Sequence, residues 1–289
     1  MLIALENVTH TYQPDSPFQA TAIRNVNLEI RPGEFLALIG HTGSGKSTLA
    51  QHINGLLRPT QGRVLLDGQD IHAKGFDRRE VRRAVGLVFQ YPEHQLFEET
   101  VAKDVAFGPK NLGLSDAEIK ERVAEALEKV GLDEPGMADK SPFELSGGQM
   151  RRAAVAGVLA MRPEILVLDE PAAGLDPQSR EDMLQLIAHL YSQGSTVVMI
   201  SHSMDDVARF ATRAVVMEKG TIAMEGAPEE IFRHPEQLEK MGLDVPSVCK
   251  LGMLLRQKGL PCPADIFRED QAFDALLSLW KGGKAHGAE

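Results

Sequence analysis

Three sets of residues in this chain have the types and spacing of phosphate chemistry. The first is Gly40-His41-Thr42-Gly43-Ser44-Gly45-Lys46-Ser47, followed by Thr48. Glycines at these positions let backbone N–H groups close around phosphate oxygens. A helix opening at Lys46 adds partial positive charge at the same place. In such a loop the lysine reaches the β- and γ-phosphates of a nucleotide, and the next hydroxyl ligates Mg²⁺. Lys46 and Ser47 fit those roles. The second set is Asp169-Glu170, at the end of the apolar run Ile165-Leu166-Val167-Leu168. A carboxylate at a strand tip beside a phosphate loop can hold Mg²⁺ through water, which fits Asp169. Glu170, one residue on, is placed to polarise an attacking water. The third set is two single residues, Gln90 and His202, each just past another apolar run. Parallel strands end on the ligand side of their sheet. His202 can therefore reach the γ-phosphate, and Gln90 the metal or water. Alone, each would read as an ordinary strand-end residue.

These residues need a scaffold, and the sequence predicts one. Phe35-Leu36-Ala37-Leu38-Ile39 is a short apolar run that exits into the glycines, as a buried parallel strand does. Residues 46–53 read as a helix, stopped by Gly55. Residues 165–168 and 196–200 predict two more buried strands, with a helix over 178–191 between them. That alternation implies a mostly parallel sheet. Residues 2–8, 25–30 and 63–66 read as shorter strands, and 214–217 with 221–224 as a hairpin. A more helical segment covers 93–161. Within it Ser115-Asp116-Ala117-Glu118 has capping-box form, and Ile119, Val123, Leu127 and Val130 follow at helical spacing. Beyond about residue 235 the character changes. Pro246 opens a helix with Val248, Leu251 and Leu255 on one face. A second helix over 265–280 aligns Phe273, Leu276, Leu277 and Trp280. Residues 281–289 read as a disordered tail.

Composition narrows the class. With 289 residues, 43% hydrophobic and 25% charged, the chain is soluble globular material with room for one large domain and an appendage. A net charge of -10 argues against nucleic acid as a partner. The pairs Arg78-Arg79, Arg82-Arg83 and Arg151-Arg152 read as solvated helix faces. Cys249 and Cys262 fit no metal or redox spacing and read as free thiols in a reducing compartment. Met1-Leu2-Ile3-Ala4 lacks the start of a signal peptide. No apolar run approaches the roughly 20 residues of a membrane helix. A membrane role would therefore need a separate partner.

With Leu145-Ser146-Gly147-Gly148-Gln149 and Gly174-Leu175-Asp176 added, the order and spacing of these motifs resemble an ATP-binding-cassette (ABC) ATPase. The resemblance covers residues 2–232. It implies an α/β fold: a P-loop NTPase core, an antiparallel β-subdomain, and a helical subdomain at about 91–161 holding residues 145–149. The nucleotide-binding domain would then span 1–234, with 235–289 a small helical appendage. The resemblance also implies ATP and Mg²⁺ as cofactors, and Tyr12 against the adenine ring. It makes 145–149 a signature that acts in trans. Its helix N-terminus, with Ser146 and Gly148, meets the γ-phosphate held by a second ATPase subunit. Asp176 would sit at the subunit contact. These motifs leave open an ATPase of another ABC importer class; repair and translation members of the family fit less well, since no long coiled coil lies between Lys46 and Leu145 and only one cassette is present.

A narrower resemblance is to the ATPases of energy-coupling factor transporters, related to cobalt-transport ATPases and most like their second isoform. It rests on Gln51-His52-Ile53-Asn54-Gly55-Leu56-Leu57, Phe89-Gln90-Tyr91-Pro92-Glu93-His94-Gln95-Leu96-Phe97, Ala106-Phe107-Gly108-Pro109-Lys110-Asn111 and Ser201-His202-Ser203-Met204-Asp205-Asp206. It implies uptake of a vitamin or transition-metal ion through a membrane scaffold and a substrate-binding membrane subunit. The ATPase would then be peripheral, on the cytoplasmic face. Tyr91, Leu96 and Phe97 would offer apolar surface to a coupling helix of the scaffold. One departure is Ala172, where the family pattern leads us to expect threonine.

Overall fold

Each of the two β-sheets forms where apolar periodicity demands it, and between them they frame the glycine loop. The computed structural model describes residues 2–284, with side chains to residue 278. In the first sheet, β1 (Ile3–Tyr12), β2 (Ala20–Ile30), β4 (Gln61–Leu66) and β5 (Gln69–Asp70) are antiparallel, in the order β2-β1-β4-β5. Alternate residues of β1 face the core, so Ile3, Leu5 and Val8 are buried while polar neighbours face out. The strand runs on to Tyr12, four residues past the expected end. Register shifts near Asn7, which has a positive φ of 49°, absorb its polar stretch.

The second sheet holds β3 (Phe35–Ile39), β6 (Val85–Val88), β7 (Ile165–Asp169), β8 (Thr196–Ile200), β9 (Arg213–Glu218) and β10 (Thr221–Gly226). Its order is β10-β9-β3-β8-β7-β6, parallel except for β10. Every residue of β3, β7 and β8 is buried, as continuous apolar runs covered on both faces require. The β9–β10 hairpin turns at Lys219 and Gly220, both at positive φ.

Helices cover this sheet. They are α1 (Lys46–Ile53), α2 (Arg78–Ala84), α3 (Val101–Asn111), α4 (Asp116–Lys129), α5 (Gly147–Leu159), α6 (Pro177–Ser192) and α7 (Met204–Phe210). The run from α3 to α5 is the helical segment the sequence predicts, and the Ser115–Glu118 capping box opens α4. Its apolar stripe, with Ile119, Val123 and Leu127, packs with Val101, Val105 and Ala156.

The chain closes with α8 (Pro228–Phe232), α9 (Pro235–Lys240), α10 (Ser247–Gln257) and α11 (Glu269–Lys284). Here the expected faces shift. On α10 the buried positions are Cys249 and Gly252, while Leu251 and Leu254 are exposed. On α11 Ala272 is buried and Phe273 exposed. Trp280 lies beyond the described side chains. The α11 backbone runs to Lys284, so residues 281–284 are helical rather than disordered; the rest of the expected tail, 285–289, lies outside the described residues.

Candidate nucleotide site

The glycine loop leaves β3 and enters α1, and its shape is set by close packing. A Cβ on Gly40 would lie 2.5 Å from Met217 O and from Ser44 Oγ. A Cβ on Gly45 would lie 2.7 Å from Ala22 O, and its φ of +104° already excludes most side chains. Gly43, at φ +81°, has open space around it. Neighbouring strands hold the loop from outside. Gly220 N donates to Ser44 O (3.0 Å), and Arg24 N donates to Gly220 O (2.7 Å). Lys46 Nζ donates to Gly40 O (2.7 Å) and His41 O (3.0 Å), so the ammonium is held against the loop backbone. Burial pushes the Lys46 pKa down, opposed by the nearby charges of Glu170 and Asp169.

β7 delivers Asp169 and Glu170 beside this loop. Burial pushes the Asp169 carboxyl up, and a hydrogen bond with Ser47 opposes the shift. Glu170 sits at φ +51°, a left-handed conformation rare for its residue type. Its carboxylate accepts a hydrogen bond from Gln90 Nε2 (3.2 Å), and His202 Nε2 lies 2.6 Å from Glu170 Oε1. The two strand-end residues therefore converge on one carboxylate. A cleft of about 390 Å³ is lined by Thr42, Gly43, Gly45, Lys46, Ser47, Thr48, Gln90, Glu170 and His202, with Ala22.

Other expected residues lie elsewhere. Tyr12 is 39% exposed; its hydroxyl is 3.2 Å from Thr48 Oγ1, and its ring meets His10 edge-on. That places it beside the cleft wall rather than in it. Residues 145–149 take no part in lining the cleft. Leu145 is buried, and Ser146 caps α5. Its hydroxyl accepts from Gln149 N (3.3 Å), and its own N–H donates to Gln149 Oε1 (3.0 Å). Gly147 has open space, whereas a Cβ on Gly148 would meet Ser179 Oγ at 2.7 Å. Asp176 caps α6, accepting from Gln178 N (3.1 Å) and Ser179 N (3.0 Å). A hydrogen bond from the Ser179 side chain, and then these backbone bonds, lower its pKa.

Two sequence expectations change. Leu96 is buried in the helical core, while Phe97 and Phe107 are exposed and meet edge-on at 5.1 Å. Arg151 is not a solvated residue: it is 1% exposed and bound to Glu93, Pro171 and Ala173. The other basic residues of those pairs on α2 are exposed, as expected. Nothing in local sequence marks Arg151, because its partner Glu93 is 58 residues away.

Comparison with known proteins gives the family. Residues 23–173 match the family described as ABC transporter. The chain is 54% identical over 280 residues to the energy-coupling factor transporter ATP-binding protein EcfA2 of Clostridium perfringens, covering 96% of this chain and 98% of that one. It is 55% identical over 284 residues to the protein of the same name from Symbiobacterium thermophilum, covering 98% of each. Among solved structures, cbiO1 of Clostridium perfringens, part of the ABC transporter complex cbiONQ, superposes with a TM-score of 0.72 at 35% identity. That match covers 88% of this chain and 98% of that one. The cassette MJ0796, a dimer in a post-hydrolysis state with ADP and Pi, gives a TM-score of 0.69 at 33% identity, covering 78% of this chain and 98% of that one. The chain belongs to the ABC transporter family, as an ATP-binding and ATP-hydrolysing subunit of the energy-coupling factor type.

Proposed function

We propose that this chain supplies half of each of two composite ATP sites, and that closure of the pair drives separate membrane subunits. The convergence of Gln90 and His202 on Glu170 beside the glycine loop carries this reading. The loop, Lys46, Ser47 and Thr48 hold the phosphates of ATP, and Tyr12 stacks on the base. Among the described residues no group of three His, Cys, Asp or Glu is arranged to hold a metal. The donors present, the Ser47 hydroxyl and the buried Asp169 carboxyl beside it, suit Mg²⁺, which is held through few protein groups plus phosphate oxygens. Asp169 would act through water, with Gln90 nearby; when bound, Mg²⁺ neutralises charge on the β- and γ-phosphates.

Glu170, oriented by His202 and Gln90, aligns a water for in-line attack on the γ-phosphate. The signature of the other ATPase, with Ser146 and Gly148 aimed from the α5 terminus, completes the site. Asp176 lies at the contact between the two subunits. ATP favours the closed pair because only that state supplies the second set of contacts, and hydrolysis removes the bridging phosphate.

A groove of about 500 Å³ beside α3 and α5, lined in part by Leu56, Phe97, Phe107 and Met161, receives an amphipathic helix of a membrane scaffold. We read residues 1–234 as the nucleotide-binding domain, its helical part at about 91–161. Residues 235–289 are an appendage that contributes to ATPase pairing. No helix among the described residues is long and apolar enough to cross a membrane. On the likeness to energy-coupling factor ATPases, the protein acts peripherally at the cytoplasmic face, with a scaffold and a substrate-binding membrane subunit, importing a vitamin or transition-metal ion. Nucleic acid is not a partner. The direct test is Glu170→Gln, which should retain ATP binding and lose hydrolysis; near-normal turnover would remove Glu170 from its role. For docking, Phe97→Glu with Phe107→Glu should abolish assembly with the scaffold.

A further inference from the structure

Arg151 stands on α5 one turn from the capping residue Ser146, yet its side chain is buried. Its guanidinium makes a two-pronged ion pair with Glu93: Nε to Oε2 at 2.9 Å and Nη2 to Oε1 at 2.6 Å. Nη1 donates to the backbone carbonyls of Ala173 (2.5 Å) and Pro171 (3.3 Å). The cation also lies 5.6 Å from the centre of the Tyr91 ring. One side chain thus joins three stretches that the sequence keeps far apart: the helix behind residues 145–149, the turn after Gln90, and the turn after Glu170. Both turns contain a non-glycine residue in the left-handed region, Tyr91 at φ +55° and Glu170 at φ +51°. Such backbone persists only where surrounding contacts determine it. Burial pushes the Glu93 carboxyl up, but the hydrogen bonding and charge of Arg151, together with a backbone hydrogen bond and the charge of His94, outweigh this and hold it below its usual range.

We infer that Arg151 is a positioning residue that makes the turn after Gln90, the Glu170 turn and the α5 N-terminus move as one body. A displacement at Glu93 is transmitted through a fixed fork, which has less slack than a single hydrogen bond. Because the same guanidinium holds the carbonyls of Pro171 and Ala173, the displacement reaches the backbone next to Glu170. This rests on the assignment of Glu170 proposed above, and extends it by naming the part that aligns Glu170 with the signature helix.

The test is hydrolysis against ATP concentration in the assembled complex in lipid vesicles. Arg151→Lys keeps the charge and loses the fork; Glu93→Gln keeps the shape and loses the charge. Each should lower kcat about tenfold with KM for ATP within about twofold. The double variant should fall no further than either single one. Unchanged kcat in Arg151→Lys would overturn the inference. So would additive losses in the double variant, or losses in kcat and KM that track a falling Tm, since these mark a merely structural pair. Glu170→Gln in the same assay separates the two readings. Normal turnover there removes Glu170's role, whereas an inert Glu170→Gln beside a normal Arg151→Lys removes only the relay.

Discussion

The glycine loop and the start of α5 are both helix N-termini, yet they are built in opposite ways. The loop is enclosed: Gly40 and Gly45 have backbone or side-chain atoms where a Cβ would stand, and Lys46 is buried. At the start of α5, Gly147 faces open space, and Ser146 is exposed and occupied only with its own cap. A helix N-terminus attracts anions in either setting. The enclosed one has its companions, Asp169, Glu170, Gln90 and His202, in the same chain. The exposed one has none of these beside it, and on the function proposed above its contribution is made to the nucleotide of the second subunit.

The strongest way to break this contrast is at the enclosed end. Glu170→Gln should lower kcat on the order of a thousandfold, as loss of a positioned base does, with ATP affinity kept. Steady-state hydrolysis beside nucleotide titration would decide it.

A second probe is pH. His52, on the helix leaving the loop, is buried; burial first, and then the neighbouring charge of His10, lower its pKa to about 4. Its Nε2 has no partner, so a proton there would add an unsatisfied buried donor. The unfolded chain binds this proton near pH 6.5 and the folded chain only near 4. Stability is therefore full above about 6.5 and falls toward pH 4, by up to about 3 kcal/mol. His52→Phe should flatten that slope in denaturant unfolding followed across this range. An unchanged slope would show that His52 does not set it.

Smaller effects come from the glycines themselves. Gly45→Ala should cost about 2 kcal/mol, from a left-handed φ and contact with Ala22, and weaken ATP binding. Gly147→Ala should move stability by no more than about 0.5 kcal/mol, yet slow hydrolysis in the assembled pair, where the new methyl group meets the partner's bound phosphate. Thermal melts together with hydrolysis assays would compare the two. Equal losses of stability would end the contrast between an enclosed and an open terminus.

The enclosed end was the more legible in sequence. Short apolar runs that stop at Gly40, Gln90, Asp169 and His202 betray buried parallel strands, and a parallel sheet gathers such ends by topology alone. The long-range contacts were not legible. A charged pair on a helix reads as solvent-facing, so Arg151 was hidden until Glu93 and the Pro171–Ala173 carbonyls came within reach of it. On α10 and α11 the large apolar residues dominate the pattern, but the small ones, Cys249, Gly252 and Ala272, are what the packing admits. Periodicity weighs side chains by size and does not register close approach.

The turn at Lys219-Gly220 has a consequence for protein engineering. A two-residue hairpin between surface strands is an ordinary place to open a chain, attach a tag or insert a sensor. Here Gly220 donates to Ser44 and accepts from Arg24, so this turn is part of the wall behind the phosphate loop. Splitting or lengthening the chain at that point would loosen the loop from outside. Permissive insertion points should be sought elsewhere, for instance at Gly113 or Gly131, where the space around each glycine is open.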